Sequence, residues 1–182
     1  MRRFLMQATV LLALMVFAIP AWSYFVGATD VGGVDTIIGE EALGNSGYAD
    51  ELAFIQTYIP DVTSYSLIGF NFQPVYSDLA NQNIVQNVWA TLLPNESAWY
   101  FIKFGNLKLT PENYDTFLYE NVSAYNYAVI NLSDIADLGG DLSDINIGKV
   151  SHIGIPEPTT LILLGSGLFG LALVGRRKKF RK

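Results

Sequence analysis

The chemistry open to this chain narrows first through what it lacks. Of its 182 residues none is cysteine and one, His152, is histidine. A disulfide framework, a thiol nucleophile, an iron–sulfur cluster, a cysteine zinc site and any multi-histidine metal centre are therefore excluded. His152 is the sole imidazole base. Its neighbour Ser151 is not its nucleophile if both lie on one strand, because adjacent side chains then point to opposite faces. No Gly-x-Ser-x-Gly elbow marks another serine, so His152 reads as structural and no catalytic residue is expected. Asp134, Asp137, Asp141 and Asp144 recur at spacings of three, four and three. On a helix they would stack like charges, so Gly139-Gly140 reads as a turn between two short acidic edges. That turn offers oxygen ligands to calcium, yet its spacing departs from the Asp-x-Asp-x-Asp-Gly loop, and solvated turns are the plainer reading. No metal or cofactor is expected, calcium being the one weak candidate. Carboxylate pairs serve glycoside hydrolysis when roughly 5–10 Å apart, but no motif singles out a pair. Trp89, Trp99 and Tyr100 are candidates for a sugar-stacking platform, although aromatics on strands are more often core. The sequons at Asn95, Asn121 and Asn131 read as incidental in an Asn-rich domain.

These residues sit in a chain of unlike parts. The formal net charge is −6, but the stretch from Tyr24 to Pro156 holds 16 acids against Lys103, Lys108 and Lys149, a net −13. Such a field repels nucleic acid and anionic lipid and favours solubility. The basic residues gather at the two ends. Residues 1–23 combine Arg2 and Arg3, an apolar run from Ala8 to Ile19, then Pro20 and the small residues Ala21 and Ser23. That order is a secretory signal peptide with its cut after Ser23.

At the other end Pro156-Glu157-Pro158 precedes the apolar stretch Thr159 to Gly175 and the cluster Arg176, Arg177, Lys178, Lys179, Arg181 and Lys182. The prolines supply no backbone donor and bias their predecessors to extended backbone, so they end the ladder of the preceding β-like run and leave the segment accessible. The apolar stretch has no charged stripe: Leu161, Leu164, Leu168, Phe169, Leu171 and Val174 are spread around any helix it forms. Its 17 residues span about 25 Å at ~1.5 Å per residue, slightly less than the ~30 Å of a bilayer interior. Gly165, Gly167 and Gly170 weaken a soluble helix and are tolerated in lipid. The six cations form a basic stop, each worth roughly 1 kcal/mol near an anionic leaflet, and they hold the C-terminus inside. The expectation is a transmembrane helix over residues 159–175 with a basic tail over 176–182.

Pro156-Glu157-Pro158-Thr159-Thr160, the Leu/Gly-rich span and the terminal basic cluster together resemble the PEP-CTERM sorting signal of Gram-negative bacteria. The resemblance covers the last 27 residues and is specific in its three-part order. It implies recognition of Pro156, Glu157 and Pro158 by an exosortase, a membrane-embedded transpeptidase-like cysteine enzyme that cuts near them, in hosts that make exopolysaccharide. More loosely, Val34-Asp35-Thr36, Leu43-Gly44-Asn45-Ser46-Gly47, Asp50-Glu51-Leu52-Ala53, Lys103-Phe104-Gly105-Asn106, Phe117-Leu118-Tyr119-Glu120-Asn121 and Ser151-His152-Ile153 resemble segments of certain PEP-CTERM proteins, which implies a shared β-rich exported domain and no activity.

That domain, residues 24–155, has a size common for one folding unit. One short helix is expected, capped at Asn45 or Ser46, with Asp50 and Glu51 in its first turns, Tyr48, Leu52, Ile55 and Ile59 on its apolar face, and Pro60 as terminator. Tyr65–Phe72, Ile84–Leu93, Ala98–Phe104, Thr116–Glu120, Tyr125–Leu132 and Lys149–Ile155 read as strands. The fold class is mainly β: an antiparallel, jelly-roll-like β-sandwich, flanked in the precursor by the signal helix and the transmembrane helix. The expected role is an exported, exosortase-processed protein anchored transiently in the inner membrane, with a structural or adhesive task at the cell surface or in exopolysaccharide. The alternative is a calcium-dependent glycan-binding module or a carbohydrate-active enzyme.

Overall fold

The computed structural model describes residues 23–105, 114–121, 126–138, 142–143 and 145–157. The expected signal peptide up to residue 22, Pro158, the anchor residues Leu161, Leu164, Leu168, Phe169, Leu171 and Val174, the basic stop, Asp141 and Asp144 lie outside them. Among the described residues no helix is long and apolar enough to cross a membrane.

Ten strands lie within the described residues: β1 (Tyr24–Val26), β2 (Thr29–Gly32), β3 (Thr36–Glu41), β4 (Tyr65–Ile68), β5 (Gln73–Tyr76), β6 (Ile84–Leu92), β7 (Trp99–Phe104), β8 (Thr116–Glu120), β9 (Tyr127–Asn131) and β10 (Val150–Pro156). They form two antiparallel sheets ordered β2-β1-β5-β6-β9 and β3-β8-β7-β10-β4. The first sheet curls back towards its beginning: Asp35 N–H donates to the Val129 carbonyl at 2.8 Å, and Val129 N–H donates to Asp35 Oδ2 at 2.8 Å. Helix α1 (Tyr48–Tyr58) covers the outer face of the second sheet, and a short α2 (Leu132–Asp137) follows β9 directly.

Strand alternation assigns the layers. In β7 all six residues are buried, which requires apolar cover on both faces of the sheet. Tyr100, Ile102 and Phe104 face inward with Phe117 and Tyr119 of β8 and Ala128 and Ile130 of β9, so one core is shared by the two sheets. Trp99 and Phe101 face outward with Leu118 and Tyr65 against Phe54 and Ile55 of α1. Each such side chain contributes roughly 1.5–3 kcal/mol of burial. A third cluster of Val31, Val75, Val88, Ala90 and Val129 fills the curl of the first sheet. The mainly β class and the two antiparallel sheets thus agree with expectation.

Several expectations need correction. Helix α1 buries Glu51, Phe54 and Ile55, whereas Tyr48 is 49% exposed. Of the expected apolar face, Ile55 is buried and Leu52 and Ile59 pack against the same cluster; ahead of the helix the Asp115 carboxylate accepts from Leu43 N–H at 3.0 Å and Gly44 N–H at 2.7 Å. The cap is Gly47, and the Asp50 carboxylate accepts from its N–H at 3.3 Å. The expected strand Tyr65–Phe72 stops at Ile68, since the chain then crosses to the other sheet and Asn71 N–H donates to Thr91 Oγ1 of β6 at 3.0 Å. Asp134 and Asp137 lie on a helix: both belong to α2, where the Asn131 side chain caps the N-terminus by accepting from Ser133 N–H, while the expected Gly139-Gly140 turn lies outside the described residues.

Candidate functional site

Strand β10 is where the described structure and the C-terminal motif meet. It is an interior strand, paired with β7 on one side and with the edge strand β4 on the other. On the β4 side the register runs from Ile153 opposite Ile68 to Pro156 opposite Tyr65. The ladder therefore includes Pro156, one residue further than the prolines were expected to allow, because Pro156 keeps its carbonyl as an acceptor and stands at the strand's end. Glu157 comes next, and continuing the register places it opposite Ser64. Its carboxylate accepts from Ser64 Oγ at 2.9 Å and from Ser66 Oγ at 3.5 Å. Ser64 and Ser66 share a face of the strand, so both hydroxyls reach one carboxylate. The segment just above is tightly seated. Ile153 and Ile155 are 0% and 2% exposed, and a Cβ on Gly154 would stand 2.1 Å from the Phe101 ring.

The lower end of β10 feeds a buried polar centre that sequence reasoning missed. Glu51, on α1, is 4% exposed. Its Oε1 is 3.1 Å from Lys103 Nζ of β7 and 3.2 Å from His152 Nε2 of β10, and it accepts from Ser46 Oγ at 3.4 Å. Its Oε2 accepts from the Tyr65 hydroxyl at 2.5 Å. Lys103 Nζ also donates to Ser46 Oγ. Burial alone raises the Glu51 carboxyl, but the hydrogen bonds from Tyr65 and Lys103 and the charges of His152 and Lys103 outweigh it and hold it below the ordinary carboxylate range. The same burial and the same carboxylate push the Tyr65 hydroxyl well up. Tyr65 is gripped further by Tyr48 stacked at 4.4 Å and by Phe101 edge-on at 5.0 Å.

The two ends share Tyr65, which carries Pro156 on its backbone and Glu51 on its hydroxyl. Glu51, Lys103 and His152 each stand in one of the six segments said above to resemble certain family members. The signals for the centre were a carboxylate within a helix's apolar run, one lysine in the strand Trp-Tyr-Phe-Ile-Lys-Phe, and the sole histidine; alternation puts Lys103 on the face of Trp99 and Phe101, under α1.

Ser151 and His152 do not point apart as strand geometry had suggested. The register slips between Val150 and His152, so Ser151 is the extra residue of a β-bulge, and its Oγ lies 3.3 Å from His152 Nδ1. The order hydroxyl, imidazole, carboxylate has the connectivity of a nucleophilic relay, but here the carboxylate is occupied by Lys103, Tyr65 and Ser46. The network closes on itself, and what it does is hold α1, β4, β7 and β10 together.

The sugar-stacking platform is not assembled. Trp99 and Tyr100 are 7% and 0% exposed on opposite faces of β7, and Trp89 lies on β6 of the other sheet. Tyr100 donates instead to buried Asp35 at 2.8 Å. Among the described residues no group of three His, Asp or Glu is placed to hold a metal ion; burial and the neighbouring Asp137 charge push the Asp134 carboxyl up.

Compared with known families, residues 154–178 match the PEP-CTERM protein-sorting motif. The chain is thereby recognised as one that carries a PEP-CTERM sorting domain. No curated protein and no solved structure matches it.

Proposed function

We propose that this chain, as the bearer of a PEP-CTERM sorting motif, is exported, held briefly in the inner membrane by residues 159–175 with its basic stop inside, and released by an exosortase-type enzyme to the cell surface or the exopolysaccharide matrix. The match at residues 154–178 carries this reading. In it Pro156, Glu157 and Pro158 are what the sorting enzyme recognises, residues 1–23 are the signal peptide, and residues 24–155 form a jelly-roll-like β-sandwich. The mature domain acts as a structural or adhesive element without catalysis, a role supported by the self-satisfied Glu51 network and the acidic surface. Pulse-chase labelling in the host tests the sorting step. The wild-type precursor is expected to chase into a shorter extracellular form, and replacing Pro156, Glu157 and Pro158 by alanine is expected to leave it in the inner membrane. Release of that variant at the wild-type rate would refute the proposal.

One observation favours a second reading, glycan binding. An open groove of about 520 Å³ on the first sheet is lined by Phe70, Asn71, Gln73, Leu92 and Tyr127, and Phe70 and Leu92 are 36% and 58% exposed. Aromatic faces beside side-chain amides suit a sugar ring. Glycan-array binding lost on Tyr127→Ala would support this reading; an array blank with and without calcium would remove it.

A further inference from the structure

The matched motif does not begin where the fold ends. Its first residue, Gly154, receives the Phe101 ring in a place where a Cβ would be 2.1 Å away. Its second, Ile155, is 2% exposed, and its third, Pro156, still pairs with Tyr65. The next, Glu157, is tied to Ser64 and Ser66 across 93 and 91 residues of sequence. A peptide bond is cut in an extended, accessible segment, whereas β10 is paired on both sides through Gly154 and still with β4 at Ile155 and Pro156, so a bond within it becomes accessible only when the strand is peeled from its sheet. Peeling β10 would empty core positions at Ile153 and Ile155 and withdraw His152 from Glu51.

We infer that Pro156 and Glu157 are part of the mature domain, secured by the Ser64 and Ser66 hydroxyls, so that the sorting enzyme cuts on the C-terminal side of Glu157 and leaves its carboxylate on the exported protein. This rests on the sorting reading above and adds to it the side of the motif on which the chain is severed. The clamp has a second consequence. An enzyme that reads Glu157 meets it already pinned in one position relative to the folded body.

The test is mass spectrometry of C-terminal peptides from the exported wild-type protein, joined to thermal unfolding of the exported Ser64→Ala/Ser66→Ala product. The expected C-terminal peptide ends at Glu157 or beyond, and the double variant is expected to unfold about 3 °C lower, the loss of one half-exposed carboxylate clamp in a domain of this size. A peptide ending at Pro156 or earlier would overturn the inference while leaving the sorting reading intact. An unchanged midpoint would overturn the clamp in the same way. An exported chain that still ends at Lys182 would overturn the sorting reading itself, and the inference with it.

Discussion

Removing Glu51 is the most telling perturbation of the fold. Lys103 Nζ sits 3.1 Å from Glu51 Oε1, and the two side chains are 6% and 5% exposed. Deleting one member of such a pair strands the other charge in the interior, which costs about 3–5 kcal/mol. Tyr65 loses its acceptor at 2.5 Å in the same step. For a domain of about 133 residues, an unfolding entropy of roughly 2.1 cal/mol/K per residue makes 1 kcal/mol equal to ~3.6 °C, so Glu51→Ala is expected to lower the midpoint by roughly 10–18 °C. Glu51→Gln keeps an acceptor for Tyr65 and removes only the charge. Combined with Lys103→Met, which takes away the stranded ammonium, it is expected to recover at least about 1.5 kcal/mol over the sum of the single changes. Calorimetry or urea unfolding of the exported domain measures the cycle. Additive single effects, or a Glu51→Ala loss under about 1 kcal/mol, would refute the assignment of this centre as the bolt between α1 and β4, β7 and β10. The pH dependence has a fixed sign. A carboxyl held below its unfolded value of ~4.3 contributes stability that is present above that pH and is lost as pH falls through the lower, folded value. Wild type is expected to lose stability there, and Glu51→Gln to show a flatter acid limb.

Three further outcomes follow from single positions. Gly154→Ala forces a methyl into the Phe101 ring and is expected to cost about 2–3 kcal/mol, read as a lower urea midpoint. Tyr119 is fully buried with a hydroxyl that has no hydrogen-bond partner among the described residues, so Tyr119→Phe is expected to leave stability unchanged or raise it by about 1 kcal/mol. Asp35→Asn is expected to destabilise by about 2 kcal/mol in calorimetry, because a charged acceptor is withdrawn from both the Tyr100 hydroxyl and Val129 N–H.

The long apolar strands were legible because each carries its two faces in the primary structure. Trp99–Phe104 and Thr116–Glu120 alternate between the inter-sheet core and the layer under α1, and both were expected within a residue of where they lie. Strands β1, β2, β3 and β5 were not: β1 has three residues, β2 and β5 have four that include Asp30 or Pro74, and β3 ends in Gly39-Glu40-Glu41, so each carries too little periodicity and gains its pairing only from neighbours already in place. Helix α2 was obscured by the like charges of Asp134 and Asp137. The Asn131 cap and the placement of Asp134 in the first turn outweigh that repulsion. The candidate site divides in the same way. The Pro-Glu-Pro string was readable from residue order, whereas its attachment to Ser64 and Ser66, and the meeting of Glu51, Lys103, Tyr65 and His152, depend on a sheet order that brings the fourth strand beside the tenth.

The claim that this chain is delivered through its C-terminal signal is tested most directly by weighing the intact protein recovered from outside the cell. The expected mass lacks residues 1–23 and the C-terminal part of the chain beyond a cut that follows Glu157, including the basic residues Arg176 to Lys182. Surface material of full precursor mass, with Arg176 to Lys182 still attached, would contradict it.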